Sequence, residues 1–395
     1  MNVNIKQKIL IHCQYVYGIG HFVRTLELAK GLIDYFDVLI INGGEKIPNF
    51  DIPKNIKIIQ LPAIYKKEDS LTLSTVDPTI SLENCFKKRD EIIKKTIKEN
   101  KPNIVITEHF PFGLLFKEEV LNLISCAKKY NPICKIICSV REIIESNKII
   151  KSHTLNIEIL NKLYDLILVH GDENHIHLRQ SFSQIDDITV PIYHTGYIVR
   201  KFTHETTLDL KDPMILTSIA GGRLGSELLD SVINCHLSIK EIIHHKLILF
   251  SGAFQNDFNK QKNKIAKLNS NEIELYSFDS ILYQKFLSKS NLVISLGGYN
   301  SIVESLSIKK NMLVYQRNFS QGNEEQDIRI KHFEKTGHLK ILNNKDLEKT
   351  TLTKKIIDSL KNNKSPLFKI NMNGVQRSIE QILELTKNTN DGIQT

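Results

Sequence analysis

Short, almost uninterrupted apolar runs alternate along this chain with longer stretches whose apolar positions recur every three or four residues. The first pattern predicts strands buried on both faces and the second predicts amphipathic helices, so the alternation reads as repeated βα units on a parallel sheet. In the first half the predicted strands are Ile9–Cys13, Val38–Ile41, Ile56–Leu61, Asn103–Thr107, Lys135–Val140, Leu166–His170 and Ile192–Thr195. Helices are predicted from Gly20 to about Tyr35, over Leu82–Glu99 and over Leu114–Tyr130. The polar stretch Arg200–Pro213 breaks the rhythm, and a second series follows with strands at Met214–Ser218, Lys246–Ser251, Ile273–Tyr276, Leu292–Ser295 and Met312–Gln316. Its helices are predicted near Ser226–Leu237, Ser301–Ile308 and Glu324–Lys335, with a last amphipathic helix at Met372–Thr386. The expected organisation is an N-terminal Rossmann-like domain (residues 1–200), a second one (201–368), and a C-terminal helix that packs back on the first, with a frayed tail (369–395).

Composition changes this picture little. With 395 residues, 41% hydrophobic and 25% charged, the chain has room for two cores and is not a disordered sequence. No apolar run approaches the roughly 18 residues of a membrane span, and the first residues lead into a strand without a signal-peptide core. The expected location is the cytoplasm. Only nine of the 53 basic residues behind the net charge of +9 are Arg, and the Lys residues are scattered in pairs such as Lys66-Lys67, Lys94-Lys95 and Lys309-Lys310. That dispersal speaks against a nucleic-acid partner. Peripheral contact with an anionic membrane stays open, because an amphipathic helix such as Leu114–Tyr130 suits either a membrane surface or a core. The six cysteines have no metal-ligand spacing and read as reduced core thiols.

The candidate chemistry sits where the strands end. Gly18, Gly20 and His21 follow the first strand; Glu108-His109, Arg141-Glu142, His170-Gly171-Asp172 and Thr195-Gly196 end later ones. In the second half Gly221-Gly222-Arg223, Ser251-Gly252 and Gly297-Gly298 do the same. Ligands of open parallel sheets lie off the carboxyl ends of the strands, so two such edges facing each other predict an inter-domain site. The segment ISLGGYNSIVESL (Ile294–Leu306) ends a strand, turns at Gly297-Gly298 and opens a helix capped by Asn300 or Ser301. Free N–H groups there would face an anion such as a diphosphate, with Glu304 one turn on for ribose hydroxyls. SIAGGRLGSELLDSV (Ser218–Val232) repeats that design without the ending of a P-loop, and Arg223 is either a phosphate contact or a surface residue. His21 at the start of the first helix is either a general base or a capping histidine, and Arg24 a surface residue or a contact to an acidic acceptor. Glu325 and Gln326 begin a helix after a polar loop and suit sugar hydroxyls. No Asp-x-Asp pair and no His/Cys cluster appears, so neither a metal ion nor another cofactor is expected.

Together these residues resemble GT-B glycosyltransferases of the family 28 group, the group of the MurG-type GlcNAc transferase. The resemblance implies that Glu304 binds ribose, that Gly297 to Ser301 face the diphosphate, and that Glu325 and Gln326 read the donor sugar. It also implies that Phe278 lies where the backbone contacts uracil and that His21 supplies the base. Across most of the chain GIGHFVR, TEHFPFG, SVREI, LVHGD, HTGY and EEQDIRIK are similar to bacterial proteins described only as predicted glycosyltransferases. GIGH in place of GTGGH, and GGYNS at the phosphate-facing helix, depart from the MurG-type pattern. The expectation is a metal-independent, inverting transferase taking a UDP-linked sugar to an unidentified small-molecule, glycan or lipid-linked acceptor, with His21 as base, or else Glu108 or Asp172. The alternatives are a sugar-nucleotide epimerase or hydrolase on the same fold, and a non-catalytic nucleotide-sugar-binding protein.

Overall fold

The computed structural model describes residues 6–16, 18–48, 50–66, 72–144, 150–202, 212–219, 224–254, 257–317, 324–362 and 369–390. The expected loop at Gly221, Gly222 and Arg223, most of the Arg200–Pro213 stretch and the last residues of the tail lie outside these.

The first half builds β1 (Lys8–Cys13), α1 (Gly20–Leu32), β2 (Asp37–Asn42), β3 (Lys57–Gln60), a small antiparallel hairpin of β4 (Ile64–Lys66) and β5 (Leu73–Thr75), α2 (Leu82–Asn100), β6 (Ile104–Glu108), α3 (Lys117–Tyr130), β7 (Lys135–Arg141), α4 (Ile150–Leu163), β8 (Leu166–His170) and β9 (Ile192–His194). Seven of these strands form one parallel sheet in the order β3-β2-β1-β6-β7-β8-β9. The second half adds β10 (Met214–Ser218), α5 (Ser226–Lys240), β11 (Lys246–Phe250), α6 (Phe258–Ala266), β12 (Ile273–Tyr276), α7 (Ser280–Lys289), β13 (Leu292–Leu296), α8 (Tyr299–Ser307), β14 (Asn311–Tyr315), α9 (Glu324–Lys335), β15 (Lys340–Leu342), α10 (Lys349–Lys361) and α11 (Gly374–Asn390). Its six-stranded parallel sheet runs β12-β11-β10-β13-β14-β15. This is the doubly layered α/β architecture expected, two Rossmann-like sheets in one GT-B fold.

The central strands are mostly apolar, with polar residues toward their carboxyl ends, because helices cover both faces: in LILVH of β8 every residue is buried. Helix limits follow local chemistry. Ser81 accepts from the Asn84 N–H to open α2, and Lys101 in the left-handed region closes it. Asp279 caps α7 through Ile281 and Leu282. Helix α11 lies on α1, with Ile379 and Ile382 inside the first domain's core. A Cβ on Gly31 would stand 2.3 Å from a methyl of Val375, so glycine is what lets these two helices approach. Each buried isoleucine contributes about 1.5–3 kcal/mol. All six cysteines are free, and Cys126 alone among them is not fully buried. No helix among the described residues is long and apolar enough to cross a membrane.

Candidate functional site

Register places the polar strand ends of the first sheet side by side: Glu108 pairs with Ser139, and Arg141 with His170. Helix α1 starts next to them, and its side chains Phe22, Val23, Leu26 and Ala29 are buried, which fixes how its first turn meets the strand edge. His21 therefore lies over Glu108, with Nδ1 2.9 Å from Oε1. Glu108 is buried and also accepts from Arg24 and from the Ser139 hydroxyl (2.9 Å). Burial by itself would raise the Glu108 pKa, but the Arg24 guanidinium and the His21 contact hold it well below the usual carboxylate range. His21 is pushed down to about 4 by burial first and the Arg141 charge second, against the pull of Glu108.

Arg141, at the end of β7 in the same domain, places Nη2 2.8 Å from His21 Nε2, and across the cleft its Nη1 donates to both oxygens of Glu325 on α9 at 2.5 and 2.6 Å. Arg329, one turn along α9, donates to Glu325 at 2.7 Å and to Glu142 of the first domain at 2.6 Å. Burial would raise the Glu325 pKa, yet Arg141 and Arg329 together keep it ionised. Three arginines and three glutamates thus alternate through the domain interface. The start of α8 joins them. Tyr299 donates to the His170 carbonyl at 3.0 Å and accepts from the Ile198 N–H at 3.2 Å, while the guanidinium groups of Arg24 and Arg329 each lie 5.3 Å from its ring centroid. Asn300 donates to the Gly20 carbonyl at 3.1 Å.

Several expectations need correcting. Glu108 has both oxygens engaged, Oε1 by His21 and Arg24 and Oε2 by Ser139, so in this structure it offers no free oxygen toward the cleft. Asp172 accepts from the Asn174 N–H at 3.0 Å and from the Asn371 N–H at 2.7 Å, and so ties down the chain's return to the first domain. Helix α8 is capped by Gly298 and begins at Tyr299; neither Asn300 nor Ser301 caps it, since the glycine is extended (φ −67°, ψ 147°) and the turn closes before them. Arg24 is a buried partner of Glu108, neither a surface residue nor exposed to an acceptor. Glu304 is buried and clasped by Arg200 through Nε at 2.5 Å and Nη2 at 2.8 Å, so both carboxylate oxygens are already engaged. Phe278 stacks on Phe50 of the first domain, with ring centroids 6.1 Å apart and planes 15° apart.

The glycines have separable duties. At Gly297 a Cβ would lie 2.2 Å from Ile330 Cδ1 and 3.5 Å from the Gln326 side-chain oxygen; at Gly18 and Gly298 it would meet nothing within 4 Å. At Gly20 the nearest atoms would be Asn300 Nδ2 and Arg141 Nη2, at 3.6 and 3.8 Å. Gly297 is thus required for packing, whereas Gly298 leaves open space in front of the α8 N-terminus, where Ser301 is buried in the first turn. His109, named in the sequence only as a strand-end residue, and Tyr299, not singled out at all, join the site. The first had a signal in its place at a strand end: with φ +70° its backbone is in the left-handed region, unusual for a non-glycine residue, and its ring centroid lies 5.4 Å from that of His21. Among the described residues no group of three or more His, Cys, Asp or Glu could hold a metal ion.

Residues 216–383 match the glycosyltransferase family 28 C-terminal domain. A UDP-N-acetylglucosamine--N-acetylmuramyl-(pentapeptide) pyrophosphoryl-undecaprenol N-acetylglucosamine transferase of Clostridium botulinum (strain Alaska E43) is 31% identical over 173 residues, which are 42% of this chain and 44% of that enzyme. The chain spans about half the length of the curated relatives it matches. Among solved structures, a UDP-glucosyltransferase from Polygonum tinctorium superposes with a TM-score of 0.60 at 11% identity, over 98% of this chain and 94% of that one. A UDP-GlcNAc 2-epimerase from Methanocaldococcus jannaschii does so with a TM-score of 0.59 at 14% identity, over 97% and 100%. At such identities these likenesses speak for the shared fold alone. The two-domain architecture is a GT-B fold, and its second half, residues 216–383, carries the likeness to the family 28 C-terminal domain.

Proposed function

We propose that the chain is a glycosyltransferase that moves a sugar from a UDP-linked donor, such as UDP-GlcNAc, to an acceptor hydroxyl, with inversion and without a metal ion. The observation that carries this reading is a neutral His held by a buried carboxylate at the start of α1, directly across from Glu325 of a family 28 domain. The donor diphosphate lies against the N–H groups that open α8, beyond Gly298, where the helix dipole favours negative charge. Gly221, Gly222 and Arg223 contribute from the other glycine loop. Glu325 and Gln326 bind the sugar hydroxyls, and Glu304 reaches the ribose by sharing its oxygens with Arg200.

In the transfer step the acceptor oxygen attacks the anomeric carbon as its proton passes to His21 Nε2. The bond from that carbon to the diphosphate oxygen breaks, and the electron pair leaves on the diphosphate. Glu108 holds the imidazole in the required tautomer and offsets the charge it acquires. The backbone N–H groups that open α8 stabilise the departing anion. The acceptor hydroxyl belongs to a small molecule, a glycan or a lipid-linked sugar, and the reaction takes place in the cytoplasm or at its membrane surface.

A thermal-shift panel of UDP, GDP, dTDP and their sugars tests the donor assignment, since a ligand at 100 times its Kd stabilises by about 2.7 kcal/mol. UDP and a UDP-sugar are expected to raise the melting temperature, and no shift from any nucleotide overturns the reading. Incubating UDP-GlcNAc without acceptor separates the epimerase or hydrolase alternative: rapid inversion of the sugar or release of free sugar would favour it.

A further inference from the structure

The bonds around His21 leave no freedom in its protonation. An arginine only donates, so Arg141 Nη2–H at 2.8 Å must be met by a lone pair on Nε2; a carboxylate only accepts, so the proton sits on Nδ1, facing Glu108 at 2.9 Å. The imidazole is neutral and in the tautomer a base requires, yet the lone pair that would take the acceptor's proton is covered by an N–H. The same guanidinium grips the carboxylate of Glu325.

The three arginines of the interface differ in what they lose if Glu325 turns to a ligand. Arg24 pairs with Glu108, and Arg329 keeps Glu142. Arg141 has no second carboxylate in hydrogen-bond contact among the described residues, and its side chain is 14% exposed where those of Arg24 and Arg329 are 1% and 0%.

We propose that Arg141 is a gate on the base: it covers His21 Nε2 while held by Glu325, and a donor sugar that takes over Glu325 releases it and uncovers the lone pair. This rests on the transferase reading above. It makes Arg141 a positioning residue, acting through His21 rather than on the reacting atoms. The groups facing His21 are Glu108 and Arg24 (Nη2 3.5 Å from Nδ1) from its own side, His109 beside it, and Arg141 across from it. Removing Arg141 takes away one positive charge and the cap while Glu108 stays. The base strengthens toward the operating pH, where proton abstraction is most effective, only once a sugar is in place, and water is denied an activated base in the empty site.

Long-range 1H–15N imidazole spectra of the full chain, with His21 assigned from the H21A spectrum, test this. In R141M the titration midpoint of His21 is expected to rise by about one pH unit or more; R141Q repeats the measurement if R141M does not fold. Adding UDP-GlcNAc to the wild type is expected to shift the Nε2 resonance, and UDP, which lacks the sugar, is not. An unchanged midpoint in the folded variant, or equal responses to UDP and UDP-GlcNAc, overturns the gate. If both ligands raise the melting temperature while His21 stays unresponsive, the gate falls and the donor reading stands. If neither binds, both fall.

Discussion

Two helices begin at the cleft after a glycine turn, one from each sheet, and they use their N-termini in opposite ways. Helix α1 opens with His21 packed on Glu108 and Arg141, whereas α8 opens at Gly298, where even a Cβ would meet nothing within 4 Å. They touch through Asn300 and the Gly20 carbonyl. The same local device, a strand running through glycine into a helix, yields a histidine held by a carboxylate and an arginine on one side and a helix start without a side-chain cap on the other. What differs is the neighbouring strand ends. β6 and β7 deliver a carboxylate and an arginine to α1, while the residues before α8 are glycines and Leu296.

That contrast can be broken from either side. The largest effect is expected on the α1 side: H21A should lower transfer 10²–10⁴-fold, read as UDP release in the presence of acceptor, with the fold intact because Glu108 keeps Arg24 and Ser139. An H21A enzyme with wild-type turnover would remove His21 from the chemistry. Next comes stability against pH. Burial lowers His21 to about 4, and His109 and His170 to about 3 each. Between the ordinary histidine value and these, the unfolded chain holds protons that the folded one does not, so stability present above about pH 6.5 is lost as the pH falls. With all three contributing, the slope reaches about 4 kcal/mol per pH unit. Melting curves from pH 7 to pH 4.5 should show this fall, and H21A should flatten it; a flat profile in the wild type would mean the histidines are not buried as described. The smallest effect is on the α8 side. Gly298→Asp supplies a capping carboxylate, so the ligand-free protein should be slightly more stable, by about a few tenths of a kcal/mol, while donor affinity falls about tenfold by repulsion of the diphosphate (about 1.4 kcal/mol). Donor binding unaffected by this substitution would place the diphosphate elsewhere.

The strand cores and the α9 limits Glu324–Lys335 were legible in the sequence, because parallel strands buried on both faces are continuously apolar and α9 opens with acidic residues after a polar loop. The hairpin of β4 and β5 was not, since three-residue strands carry too little alternation to register. Among the site residues, His21 and Glu325 could be picked out by their place at helix starts. Their link through Arg141 could not: it joins residues 184 positions apart, on different sheets. Tyr299 was hidden for the same reason, as nothing local in GGYNS says that its ring crosses to the His170 carbonyl. Glu304 shows the converse, since its neighbours in sequence gave no hint that Arg200 would clasp it.

The path of α11 has a consequence for synthesis. The first domain's core holds Ile379 and Ile382, and Gly374 packs so tightly beneath Tyr197 that a Cβ there would lie 2.6 Å from its carbonyl. A ribosome building this chain makes the whole first sheet early, yet the helix that seals α1 emerges only after the second domain has been made. The nascent first domain therefore waits with an apolar groove along α1 uncovered, and its closure depends on a helix made after the second domain rather than on its own early residues.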